Sequence, residues 1–166
     1  MLPVAEVPAD LQVFFLAAGW YPGRVVPVPE GISPEHPAAG ILASFLGLKV
    51  FNPSAGEECP TSDIDFMPQP FEDSSHELYE ATVGERLVTV AEVDQGYSLL
   101  LIDGKGRWFG ASLVHDAFWL CGESMADALR TLLQGRKVRP VLLHGQASTS
   151  LYGIDHDASH PAVYRP

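Results

Sequence analysis

The spacing of apolar side chains along this 166-residue chain changes period twice. It is helical at first, becomes extended near Arg86, and returns to helical from Ser124 to Gln134. The first helix is predicted over Pro8–Ala18, where Leu11, Phe14, Phe15 and Ala18 share a face; Pro8 suits the first position and Gly19 the close. Trp20-Tyr21-Pro22-Gly23-Arg24 then reads as a tight turn, with Pro presetting φ and Gly supplying a positive one. Arg24–Val28 is expected as a short strand, confined to a sheet edge by Pro27 and Pro29. A second helix fits His36–Leu46, ended by Gly47. Leu48–Asn52 reads as a strand, a loop runs to Ser62, and Asp63–Met67 alternates as a half-exposed strand does. Ser75–Val83 is predicted as a third helix with Leu78, Tyr79, Thr82 and Val83 inward and Glu77 and Glu80 outward.

Arg86–Val93, Tyr97–Ile102 and Arg107–Ala111 are strands linked by Asp94-Gln95-Gly96 and Asp103-Gly104-Lys105-Gly106. Asp-Gly between apolar runs is a strong hairpin signal, so these strands form an antiparallel meander, to which Leu113–Leu120 can add. Met125, Ala128, Leu129, Leu132 and Leu133 then match one helical face without a miss; Ser124 and Asp127 open that helix and Gly135 closes it. Val141–Leu143 is a possible further strand. The fold class is α+β: one domain, an antiparallel meander packed with N-terminal helices and a C-terminal helix. The domain is placed at residues 1–144. Residues 145–166 are polar, lack a period, and are expected as a loosely held tail.

Length suits one domain able to bury its own core, and 46% hydrophobic residues exclude general disorder. Fifteen glycines and fourteen prolines point to many turns. No apolar run reaches membrane-spanning length, and the apolar stretch Leu11–Trp20 has acids before it instead of the basic start of a signal peptide. The expected compartment is therefore the cytoplasm. Two cysteines, Cys59 and Cys121, make neither a C-x-x-C motif nor a disulfide framework, so reduced thiols are expected.

The net charge of −11 disfavours direct contact with nucleic acid or an anionic membrane. Eleven acids lie between Glu57 and Asp94 with one base, Arg86, so this segment carries almost the whole imbalance. Two readings stand: a solvated face that maintains solubility, or a surface for a basic partner.

Catalytic candidates are few. Gly122-Glu123-Ser124-Met125-Ala126 resembles a nucleophile elbow, which requires a strand leading into the Ser and a placed acid and His; Ser124 serves equally as a helix N-cap, the favoured reading. Asp155-His156-Asp157 with His160 brings together groups that ligate divalent metal, but in a segment without rigid flanking elements. Cys59-Pro60 lacks the remaining elements of a zinc deaminase, and Gly104 and Gly106 punctuate a hairpin instead of cradling phosphate. No catalytic residue, metal ligand or cofactor is assigned. A small hydrolase or metal-dependent enzyme using Ser124 or the His-rich tail is the alternative class, and a scaffold or regulatory binding module a second.

The string Ala18-Gly19-Trp20-Tyr21-Pro22-Gly23-Arg24 after a short helix resembles the opening signature of the third subfamily of SUKH immunity proteins. Ala43–Val50 resembles its helix-to-strand step, Asp63-Ile64-Asp65-Phe66 its next strand, Leu99–Arg107 its hairpin, and Gly122-Glu123-Ser124 the start of its closing helix. The resemblance spans about Pro8–Gly135 and leaves the tail outside. It implies a bacterial, non-enzymatic protein that binds and neutralises a toxin domain encoded beside it, often a nuclease or deaminase. Within the signature, Gly19, Trp20, Pro22, Gly23 and Arg24 are expected to be structural, Trp20 packing on the sheet and Arg24 pinning the turn. A toxin acting on nucleic acid presents a basic cleft, and on that ground Asp63, Asp65, Glu77 and Glu80 are the expected contact residues.

Overall fold

A computed structural model describes residues 2–67 and 75–166. The first predicted helix is a 3-10 turn, Ala9–Leu11, running into α1 (Gln12–Ala17). After it, Tyr21-Pro22-Gly23-Arg24 closes a turn through an Arg24 N–H to Tyr21 carbonyl bond of 3.1 Å, with Gly23 at φ 82°. That positive φ is the position a type II turn reserves for Gly, after Pro. Arg24 then donates from Nη1 to the Ser44 carbonyl (2.7 Å) and from Nη2 to the Leu46 carbonyl (2.9 Å). These are orphan acceptors at the C-terminal end of α2 (Pro37–Phe45), where a fixed cation also suits the helix dipole. Trp20 is buried, edge-on to Phe15 at 6.4 Å. The expected strand over residues 24–28 does not form. Val26 makes one backbone bond to Ala43 of α2 and otherwise runs as coil, because a segment with prolines at 27 and 29 cannot sustain a ladder.

His36 caps α2: its Nδ1 accepts from the Ala38 N–H at 3.1 Å, and its Nε2 donates to the Arg86 carbonyl at 3.0 Å. The sheet follows as an uninterrupted antiparallel meander: β1 (Lys49–Val50), β2 (Ile64–Asp65), β3 (Val88–Val93), β4 (Ser98–Ile102), β5 (Trp108–Ser112), β6 (Phe118–Gly122) and β7 (Arg139–Val141). Two bulges, at Thr89/Ala91 and Trp108/Phe109, shift its register. The first turns both Val90 and Ala91 to the same face. On that face Val93, Leu100 and Trp108 pack under α1, α2 and α4 (Met125–Gln134). The opposite face, through Leu101, Phe109 and Phe118, packs under α3 (His76–Val83), whose Tyr79 stacks on Phe118 at 4.8 Å. Leu113–Ala117, expected as strand, is a loop before β6.

Between β4 and β5 lies a buried ion pair. Asp103, fully buried, accepts from the Arg107 Nε at 2.7 Å with one oxygen and from the Lys105 and Arg107 amides with the other. The Arg107 Nη1 donates onward to the Tyr164 hydroxyl at 3.1 Å.

That last bond reaches into the segment expected as a loosely held tail, which carries its own secondary structure. β8 (Ser148–Leu151) and β9 (Ile154–Asp157) form a hairpin around Tyr152 and Gly153, both left-handed at φ 57° and 71°. Val163 is buried, the Tyr164 amide donates to the Pro140 carbonyl, and Arg139 of β7 reaches the Ala162 and Val163 carbonyls. The sequence concealed this because each strand carries one apolar residue, Leu151 or Ile154, beside the turn, and the turn is Tyr-Gly, where two-residue turns favour Asn-Gly or Asp-Gly. Asp103→Asn strips the charge from the buried pair and is expected to cost about 3–5 kcal/mol. Tyr164→Phe removes only the terminal acceptor and is expected to cost about 1–3 kcal/mol. Urea midpoints at constant slope measure both; an unmoved Tyr164→Phe midpoint would show the tail to be energetically idle.

Candidate partner-binding face

The register aligns one rung across the whole sheet: Lys49, Asp65, Glu92, Leu99, Ala111, Phe118 and Val141. Residues opposite one another in a ladder share a face, so a single face is polar over β1–β3 and apolar over β4–β7. The apolar part is the core beneath α3. Over β1–β3 the residues form a concavity lined by Phe51, Asp63, Asp65, Glu92 and Gln95, with Lys49 at its edge. Asp63 is exposed, Asp65 and Glu92 are half-buried, and Phe51 and Tyr97 stand out to solvent. The Lys49 ammonium lies 3.9 Å from Asp65 on a side chain 80% exposed, so this pair contributes little in water. At the end of β3 the Asp94 carboxyl turns back to accept from the Asp63 amide (3.2 Å) and the Ser62 hydroxyl (3.3 Å). Asp94 as a whole is exposed, but its carboxyl group is tucked in, and this burial pushes its pKa up against those two bonds.

Of the four expected contact residues, Asp63 and Asp65 thus share the face that the described residues leave uncovered, and Glu77 is exposed on α3 over the same side of the sheet. Glu80 is a correction. It is half-buried: its Oε2 accepts from the Leu87 amide at 2.9 Å and lies 3.7 Å from the His76 Nε2, which itself donates to the Leu87 carbonyl. Glu80 and His76 clamp both backbone groups of Leu87, fastening α3 to the start of β3. Leu78, expected inward, is exposed, and His76 takes the buried position instead. Sequence reasoning also passed over Glu92: the bulge at Thr89/Ala91 shifts the phase of alternation, and only the residues after it show which way Glu92 points.

Nor is the acidic segment unpaired in space. Glu57 meets Arg136 at 3.0 Å and Glu85 meets Lys105 at 3.8 Å. Glu58 accepts from the Lys137 amide. Glu72 and Asp73 lie outside the described residues. The acids that remain exposed or half-exposed on this side of the sheet are those of the β1–β3 patch, with Glu77 on α3.

The catalytic alternatives are placed as follows. The Ser124 hydroxyl accepts from the Asp127 amide at 3.2 Å and caps α4. Gly122 precedes it for packing, since a Cβ there would run into the α4 backbone at Asp127 and Ala128. The elbow-like string is therefore a strand-to-helix joint. His156 is buried with its ring 4.3 Å from that of His160, whose Nδ1 accepts from the Ala162 amide. Among the described residues no three His, Cys, Asp or Glu side chains are grouped to hold a metal ion, and no helix is long and apolar enough to cross a membrane. Cys59 and Cys121 are free thiols.

Comparison with known proteins gives one match. The family model described as SUKH-3 immunity protein covers residues 7–135, more than three quarters of the chain. No curated protein and no solved structure matches.

Two substitutions separate clamp from surface. Glu80→Ala leaves the Leu87 amide without its acceptor and is expected to cost about 1–3 kcal/mol, whereas Glu77→Ala should fall within about 0.5 kcal/mol of wild type. Ser124→Ala is expected to cost about 1 kcal/mol, with Ser124→Asp near neutral. Thermal melts read all four, and equal losses at Glu77 and Glu80 would contradict the clamp.

Proposed function

The chain belongs to the SUKH-3 immunity protein family, and from that premise we propose that it binds and neutralises a cognate toxin domain encoded beside it in a bacterial genome. It acts in the cytoplasm, without catalysis, by covering the basic active face of a toxin that works on nucleic acid. The observation that carries this reading is the half of the sheet face that the described residues leave uncovered, where Asp63, Asp65 and Glu92 line one concavity and Glu77 stands exposed on the neighbouring helix. A toxin that grips phosphates needs a basic cleft, and carboxylates set on a rigid sheet compete for that cleft as phosphates do. Phe51 and Tyr97, exposed beside the acids, supply apolar area that a purely electrostatic contact lacks.

Long-range attraction of this kind speeds encounter and weakens with salt, because the screening length is only about 8 Å at physiological ionic strength. The test replaces Asp63, Asp65 and Glu77 together with Lys and leaves Glu80 in place, so that the α3 clamp survives. Affinity for the neighbour-encoded toxin domain is expected to fall at least about tenfold, with a flatter salt dependence. Affinity and salt slope both equal to wild type would move the interface elsewhere and leave the acids as a solubility feature.

A further inference from the structure

Where the helical layer ends, the α4-covered side of the sheet holds a pocket of about 220 Å³. Its floor is Leu100, Trp119 and Cys121; α4 walls it at Thr131, and the tip of the β8–β9 hairpin walls it at Leu151 and Tyr152. Gly110 shapes the floor. Trp119 lies directly over this glycine, and a Cβ there would collide with the indole. The hairpin tip is held by the Tyr152 hydroxyl, which accepts from the Val138 amide at 2.8 Å. Burial, the larger influence, drives the Tyr152 hydroxyl to about 12, so it stays protonated and neutral. An apolar protein cavity of about 150 Å³ already admits a benzene ring. This one is larger, mostly apolar, and open to solvent on one side.

The pocket lies on the opposite face of the sheet from the acidic row and meets it where β2 and β3 end, at Ser62 and Asp94. Asp94 and Ser62 line it too, and Asp94 is the residue hydrogen-bonded to the Asp63 amide at the end of the acidic row. The single cation among its lining residues, Arg136, is engaged by Glu57. A basic partner that wraps this end of the sheet from Asp63 past Asp94 therefore meets a preformed apolar hole. We propose that this pocket receives an aromatic side chain of the basic protein partner as its anchor, an inference that rests on the partner-binding reading above. A preformed apolar pocket beside a charged rim is the setting in which one buried ring dominates an interface.

The free ring of tryptophan, indole, is the probe. It is expected to raise the melting temperature of the full chain and to shift the Trp119 indole N–H resonance. Thr131→Trp fills the pocket from α4, and Leu151→Trp fills it from the hairpin should the first variant not fold. Either is expected to abolish both responses. Either should also weaken binding of the neighbour-encoded toxin domain by roughly 30-fold or more, with the salt slope unchanged. Absence of any indole response in the wild type overturns the pocket as an aromatic site. Indole binding alongside full toxin affinity in the filled variants overturns the anchor. A wild-type chain that does not bind the toxin domain sinks the partner reading and the anchor with it, while the indole result separately decides whether the pocket takes a ring.

Discussion

The Asp103–Arg107 pair is the constraint around which the sheet is organised. It closes the hairpin between two central strands, where a carboxylate with no solvent exposure must satisfy its acceptors internally. Asp103 does so with the Arg107 Nε and two amides of its own turn, so one side chain fixes both turn geometry and strand register. Arg107 in turn needs acceptors, and Tyr164 supplies one from 57 residues further along. Breaking such a pair from one side is costly because a charge is left behind. The tail is thus tied to the middle of the sheet by the electrostatic demand of a turn it never touches in sequence.

A second organising fact is that the two faces of the sheet are treated differently. One is covered by α1, α2 and α4 from the β1 end to the pocket beside Trp119. Among the described residues, the other is covered only where α3 and Tyr164 reach. The clamp of His76 and Glu80 on Leu87 holds α3 over β4–β7, so among the described residues no helix covers this face over β1–β3. The open region then depends on where one helix is fastened.

The meander was legible because its signals are local: alternation over Tyr97–Ile102, and an Asp-Gly turn. α4 was legible because its five apolar positions repeat without error and Ser124 and Gly135 bracket it. Trp20 and Arg24 could be assigned structural work from their place at a Pro-Gly turn, although the particular acceptors on Ser44 and Leu46 belong to tertiary structure. Three features were not legible, each for a physical reason. The tail hairpin has no apolar period because its two strands form a sheet of their own, with polar Thr149 and His156 in the buried positions. Glu80 looks like any outward helical acid until Leu87 presents an unpaired amide to it. The charge of the acidic segment overstates the surface, since Arg136 and Lys105 come from elsewhere in the chain to neutralise part of it.

The division between clamp and open strand has an evolutionary consequence. At Asp63 and Glu77 the exposed side chains contribute no core packing, so replacing them leaves the forces that hold the fold in place. Glu80, three residues from Glu77, has no such freedom. On the proposed reading, recognition and folding are therefore written in separate alphabets on the same surface. A lineage can rewrite the first, one side chain at a time, to follow a changing adversary without passing through an unfolded ancestor.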